Sequence, residues 1–183
     1  MELHYENLKL LQAAIFSFAT NVQTQELSKT DAEHLHHYLH GARMALHSAK
    51  TLKDIRHNFE EFESADNEFL NQQHGQFRKR LTSTYFKLDE IINESQESHQ
   101  TKTMLKLLKR LRKDDDRLVK LAADAITGNQ IQQLDLSTLL IVNRAFLQSS
   151  RQVIQAIKEI LLSEPEQEKF ELVEEVRDSL EED

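Results

Sequence analysis

The 183-residue chain has no Cys and no Trp, one Pro and only three Gly. Without cysteine it has no disulfide, no thiolate metal ligand and no thiol nucleophile. That absence fits a reducing compartment. Three glycines are too few for a hairpin-rich β fold or a glycine-rich phosphate loop. Long apolar runs are missing as well. The longest purely aliphatic run in the second half, residues 139–142, falls far short of the roughly 20 residues of a membrane span. The start, with Glu2 and His4, carries no basic stretch before an apolar one, so no signal peptide is expected. No Ser/His/Asp triad and no nucleophile elbow is legible, and the expectation is a non-enzyme.

What is present is charge. Charged residues make up 30% of the chain and the net charge is −8. All of that excess lies in residues 164–183, which hold ten acidic and two basic side chains. The rest of the chain is neutral, which excludes a general nucleic-acid binder with its basic face. Residues 102–120 are a local exception, with eight basic residues against Asp114, Asp115 and Asp116. An ordinary solvated helix face is the expected reading of that run.

Apolar residues recur at three and four throughout, and no segment alternates with period two. Six helices follow. The first covers residues 2–25, with Leu8, Leu11, Ile15, Phe18 and Val22 as its apolar face. Thr30 and Glu33 form a capping-box signature for a second helix over residues 31–63, roughly 50 Å long. Ser64, Ala65 and Asp66 cap a third, with Leu70, Phe77, Leu81, Leu88 and Ile92 inward, which fades in the polar run 93–101. A fourth spans 102–127 and stops at Gly128-Asn129. A fifth spans 136–162. Ser163 and Pro165 then open a sixth, acidic helix, whose stripe of Phe170, Val173, Val176 and Leu180 favours docking over a free tail. Long antiparallel helices with short loops make an all-α bundle.

The chain also matches itself at a shift of 101 residues. Leu39 falls on Leu140, Arg43 on Arg144, Leu46 on Leu147, Lys50 on Arg151 and Leu52 on Val153. The reading is one domain of two three-helix repeats, residues 1–97 and 98–183, packed side by side.

Seven of the nine histidines lie between His34 and His74. On helix two, His36, Arg43, Lys50 and His57 recur at seven, as do His40, His47, Asp54 and Glu61. Each series is nearly straight along a helix, and the two lie about 40° apart. They form one polar stripe roughly 30 Å long. Four readings stand open. It is a solvated face with Lys50–Asp54 and His57–Glu61 pairs. It is a metal site, since His36 and His40, like Glu33 and His37, have the i, i+4 spacing that shares an ion; imidazole and carboxylate suit zinc, iron, nickel or manganese. It is an anion site, with Arg43, Lys50 and protonated His36 and His57 holding phosphate or an acidic segment. Or the segment from His37 to Gly41 resembles a histidine-phosphotransfer motif, which implies an exposed His37 with Gly41 leaving room for a phosphorylated imidazole. His40 there replaces the motif's lysine and His47 its second glycine.

The stretch from Ala42-Arg43 through Ala49-Lys50, then Leu52-Lys53-Asp54-Ile55-Arg56-His57-Asn58-Phe59-Glu60-Glu61, resembles PhoU-like domains. It is most similar to the one at the cytosolic end of bacterial sodium/phosphate symporter-family proteins. Asp54, Asn58, Phe59 and Glu61 occupy the places of that family's D-x-x-x-N-I-x-E pattern. The segment from Leu140 to Arg144, then Ser149, resembles its second repeat. The resemblance implies an all-α fold of two three-helix repeats. It implies a regulator of phosphate transport, cytoplasmic or at the inner membrane face. Its partner would be a phosphate transporter or a membrane domain of its own, and the long apolar faces admit a homodimer. Some members hold iron or zinc clusters on an acidic-x-x-x-acidic motif. This chain departs there, because Asn58 stands where the second carboxylate belongs and residues 151–159 have no Asp. The metal set then implied is Asp54, His57 and Glu61 with His47. The interaction stripe is His36, Arg43, Lys50, Asn58, Arg144 and Arg151. Asp115 falls on the apolar register of Met104, Leu108, Leu111, Leu118 and Ala122. A buried carboxylate needs a partner, and Arg144 or Arg151 is the expected one; a solvent-turned Asp is the alternative.

Overall fold

A computed structural model describes the backbone of residues 2–181 and the side chains of residues 2–174. Among the described residues there are seven helices and no strand. They are α1 (Glu2–Gln23), α2 (Lys29–Asp54), α3 (Arg56–Ser64), α4 (Glu68–Ile92), α5 (Glu97–Thr127), α6 (Gln133–Leu161) and α7 (Glu164–Glu181).

The expected second helix is two helices. The chain breaks at Ile55, at φ −93° and ψ 2°, and not at Gly41. Tertiary packing decides this. The turn sends Ile55 and Phe62 into the core formed with α4 and α6, with Phe59 against it. Gly41 stays helical and lies tight against α6. A Cβ there would stand 2.8 Å from Ile160 Cγ1 and 3.1 Å from the Ala156 carbonyl oxygen.

Caps move the other boundaries. Ser28, not Thr30, caps α2 by accepting from the Asp31 N–H. Asn67 caps α4 through the Leu70 N–H and donates to the Gln130 carbonyl at 2.8 Å. Helix α5 starts five residues before expectation. Gln100 is buried and donates to the carbonyls of Ile91 and Glu94 at 3.1 and 2.8 Å, so the polar run closes the α4–α5 turn. Gln132 and Asp135 form the capping box of α6. Gly128-Asn129 does end α5. Asn129 takes the left-handed backbone (φ 54°), and the Gln130 and Asn129 N–H groups return to the Ala125 and Ile126 carbonyls. The Ser163 hydroxyl donates to Glu97, tying the start of α7 to that of α5.

Two apolar cores lie end to end. One gathers α3, α4, the second half of α5 and the first half of α6, where Phe77 stacks on Phe146 at 4.9 Å. The other gathers Leu88 and Ile91 of α4, Met104, Leu107, Leu108 and Leu111 of α5, Ile154 and Ile157 of α6, and Phe170 of α7. Ile91 replaces the expected Ile92, which is exposed. Phe170 is fully buried, so α7 is docked; the side chains of Val176 and Leu180 lie outside the described residues.

The broadest helix–helix interface joins α2 to α6. At its middle Ser48 and Ser149, both buried, exchange hydrogen bonds. Ser48 Oγ donates to the Ser149 carbonyl at 2.9 Å, and Ser149 Oγ donates to the Ser48 carbonyl at 3.1 Å. Thr51 Oγ1 reaches Gln152 Oε1 at 3.3 Å. Both pairs are 101 residues apart.

Helix α1 differs from expectation. It packs on α2, burying Ala19 and half-burying Ile15, Phe16 and Val22. Leu8, Leu11 and Phe18, expected inside, are exposed.

Candidate functional site

The break at Ile55 divides the expected stripe. His36, Arg43, His47, Lys50 and Asp54 are exposed on α2, while His57, Asn58 and Glu61 belong to α3. A straight row needs an unbroken helix, so the 30 Å stripe is not continuous. His57 Nε2 lies 3.2 Å from Glu61 Oε1, an i, i+4 pair on one helix. Arg43 lies over the Phe16 ring of α1 at 5.7 Å. Among the described residues, no group of three or more metal-capable side chains is arranged to hold an ion. The set Asp54, His57, Glu61 and His47 is not brought together as one such group.

Arg144 and Arg151 do share a surface. They line one groove of about 650 Å³ between α2, α5 and α6, together with Met44, Asp115, Asn143 and Leu147. The Nε of Arg151 is buried and without a hydrogen-bond partner. Asp115 is half-buried and faces the same groove, but its bond is not to either arginine. It accepts from Asn143 Nδ2, whose Oδ1 in turn accepts from Arg80 at 3.0 Å. An amide needs no counter-charge to stay buried, so Asn143 completes Asp115 more cheaply than a second buried ion. Two arginines that do not pair with Asp115 thus line the groove, a set suited to carboxylate or phosphate.

Asp114 serves the basic run. Arg80, Arg110 and Arg117 approach it at 4.0, 3.8 and 3.4 Å. Burial lowers the Arg80 pKa, and Asp114 and Asp115 oppose that.

One cluster was not foreseen. Glu159 of α6 is buried and accepts from His37 Nδ1 at 2.6 Å. His40 Nδ1 lies 3.4 Å and Lys158 Nζ 3.2 Å from its other oxygen. Lys158, also buried, reaches Glu171 of α7. Burial alone would raise the Glu159 carboxyl pKa. The hydrogen bond from His37 and the charge of Lys158, aided by His40, overcome it and hold the group below its ordinary 4.5. The cluster ties α2, α6 and α7, beside a polar cavity of about 230 Å³ lined by His34, His37, Glu97, Glu159 and Ser163. A signal for it exists in the sequence. Lys158 stands four residues after Ile154, on an apolar register, as Asp115 does on α5. For His37, two features matter. It is half-buried against Glu159, and the space at Gly41 is occupied by Ile160.

Comparison with protein-family models, with curated proteins and with solved structures found no match. Among the described residues, no helix is long and apolar enough to cross a membrane.

Proposed function

We propose that this chain is a PhoU-like interaction domain that regulates phosphate transport through contacts, without catalysing a reaction. The observation that carries this reading is the reciprocal Ser48–Ser149 pair. In two side-by-side repeats, equivalent residues touch only on the axis relating the repeats. Bonds exchanged between residues 101 apart fit such an axis, and the Thr51–Gln152 bond lies next to them. The groove of Arg144 and Arg151 supplies the contact, a site for an acidic segment of a transporter or for phosphate itself. The partner is a phosphate transporter or a membrane domain joined to this chain, and the place of action is the cytoplasmic face of the membrane.

The test is sodium-driven phosphate uptake by membrane vesicles of the source cell, with and without added chain. The chain changes the uptake rate, and Arg144→Gln with Arg151→Gln abolishes the change. An unchanged rate at saturating chain overturns the reading.

A second reading, phosphotransfer at His37, has one observation in its favour. Glu159 on Nδ1 fixes the tautomer and leaves Nε2 as the basic nitrogen. Acid-labile label from a phosphodonor, mapped to His37, would select it over the first.

A further inference from the structure

Helix α1 carries two apolar faces, and only one is used. Leu3, Leu10 and Phe18 are 71%, 69% and 67% exposed. With Asn7, Leu11 and Ala14 they form one solvent-facing surface, opposite the side that meets α2. Residues 10–25 contain no Asp, Glu, Lys or Arg, in a chain that is 30% charged. Scattered exposed leucines are ordinary, but a contiguous apolar helix face stripped of charge is an interface signature.

The first part of this face is covered in the second half of the chain, whereas Val119, the counterpart of Phe18, is 48% exposed. At the shift of 101, Leu3 and Leu10 fall on Met104 and Leu111, which are 0% and 4% exposed. Those two are covered by Leu88 and Ile91 of α4 and Phe170 of α7. No equivalent cover lies on α1 among the described residues.

We infer that the outer face of α1 is a self-association surface, covered by α1 of a second copy running antiparallel. The face is self-complementary in that direction. One register places Leu3 of one copy against Phe18 of the other, Asn7 against Ala14, and Leu10 against Leu11. The same register sets Glu6 against Ile15 and Lys9 against Gln12, so no like charges meet. Glu6 and Lys9 already neutralise each other at 2.9 Å. The side chains of this face expose on the order of 500 Å² per copy, so two copies offer up to about 1,000 Å² from them alone, near the floor for a specific interface. A two-fold contact also closes on itself and does not propagate. The inference does not depend on the regulatory reading above.

The experiment is sedimentation velocity on the full chain across roughly a hundredfold range of concentration, with Leu10→Glu and Phe18→Glu beside it. The chain forms dimers. Each variant weakens association at least tenfold with an unchanged helical circular-dichroism spectrum, because neither side chain is used inside the fold. A monomer at every concentration overturns the inference, as does a Leu10→Glu chain that dimerises like the parent. A monomer that instead binds neutral phosphatidylcholine vesicles through α1 also overturns it, and assigns the face to lipid. Direction has its own test, free of background because the chain has no cysteine. Asn7→Cys with Ala14→Cys gives a disulfide-linked dimer under oxidation, whereas Asn7→Cys alone does not. Equal yields from both variants would exclude the antiparallel register.

Discussion

Helices α1 and α5 fall on one another at the 101-residue shift, yet they live in different surroundings. Nine residues of α5 are buried against one in α1. The difference is not hydrophobicity, since α1 has the more apolar composition, with three charged residues against thirteen in α5. It lies in cover. Helix α5 is enclosed by α4, α6 and α7, whereas α1 rests on α2. A helix's burial is therefore a property of its neighbours, and a periodic apolar stripe reports only that some neighbour is expected.

The largest effect that sharpens this comparison comes from equivalent truncations. Leu111→Ala should cost about 2–5 kcal/mol of unfolding free energy, through lost burial and a cavity. Leu10→Ala, measured where the chain is dilute and monomeric, should stay within about 0.5 kcal/mol. Urea denaturation of both variants reads the contrast, and equal costs would break it. Next comes the crossing that joins the two regions. Gly41→Val places side-chain atoms into Ile160 and the Ala156 carbonyl and should cost about 1–3 kcal/mol. A smaller effect follows at the axis. Ser48→Ala and Ser149→Ala should each cost about 1 kcal/mol, and the double variant should cost less than their sum. Additive losses would mean that the two hydroxyls do not act as one unit.

A pH scan addresses the α2–α6–α7 cluster. The Glu159 carboxyl is held below its ordinary value when folded, so its contribution is fully present above the unfolded pKa. It is lost as pH falls below about 4.5 and through the folded pKa. Glu159→Gln should flatten that part of the stability curve, and an unchanged acid limb would show that the partners of Glu159 do not hold it ionised.

The sequence made the helical fold legible because apolar periodicity and caps are local signals. Met104, Leu108, Leu111 and Phe170 are buried as their spacing implies. It did not show the break at Ile55, where a buried side chain is gained by turning the chain and no local breaker marks the place. It misplaced the start of α5 because Gln100 and Thr101, polar enough to read as a loop, are buried as hydrogen-bonding groups. At the candidate site, Arg144 and Arg151 share a groove as their spacing of seven on one helix allows. The partner of Asp115 was Asn143, one residue from the expected Arg144 and on the face turned inward. Glu159 and His37 lie 122 residues apart, and only the crossing of α2 and α6 brings them together.

The most direct test of an open α1 beside an enclosed α5 is amide hydrogen exchange followed by mass spectrometry at two chain concentrations. At low concentration, peptides from α1 should exchange far faster than those from residues 104–122 of α5. Raising the concentration should slow α1 alone. Equal protection of α1 and α5 in the dilute chain would contradict the account.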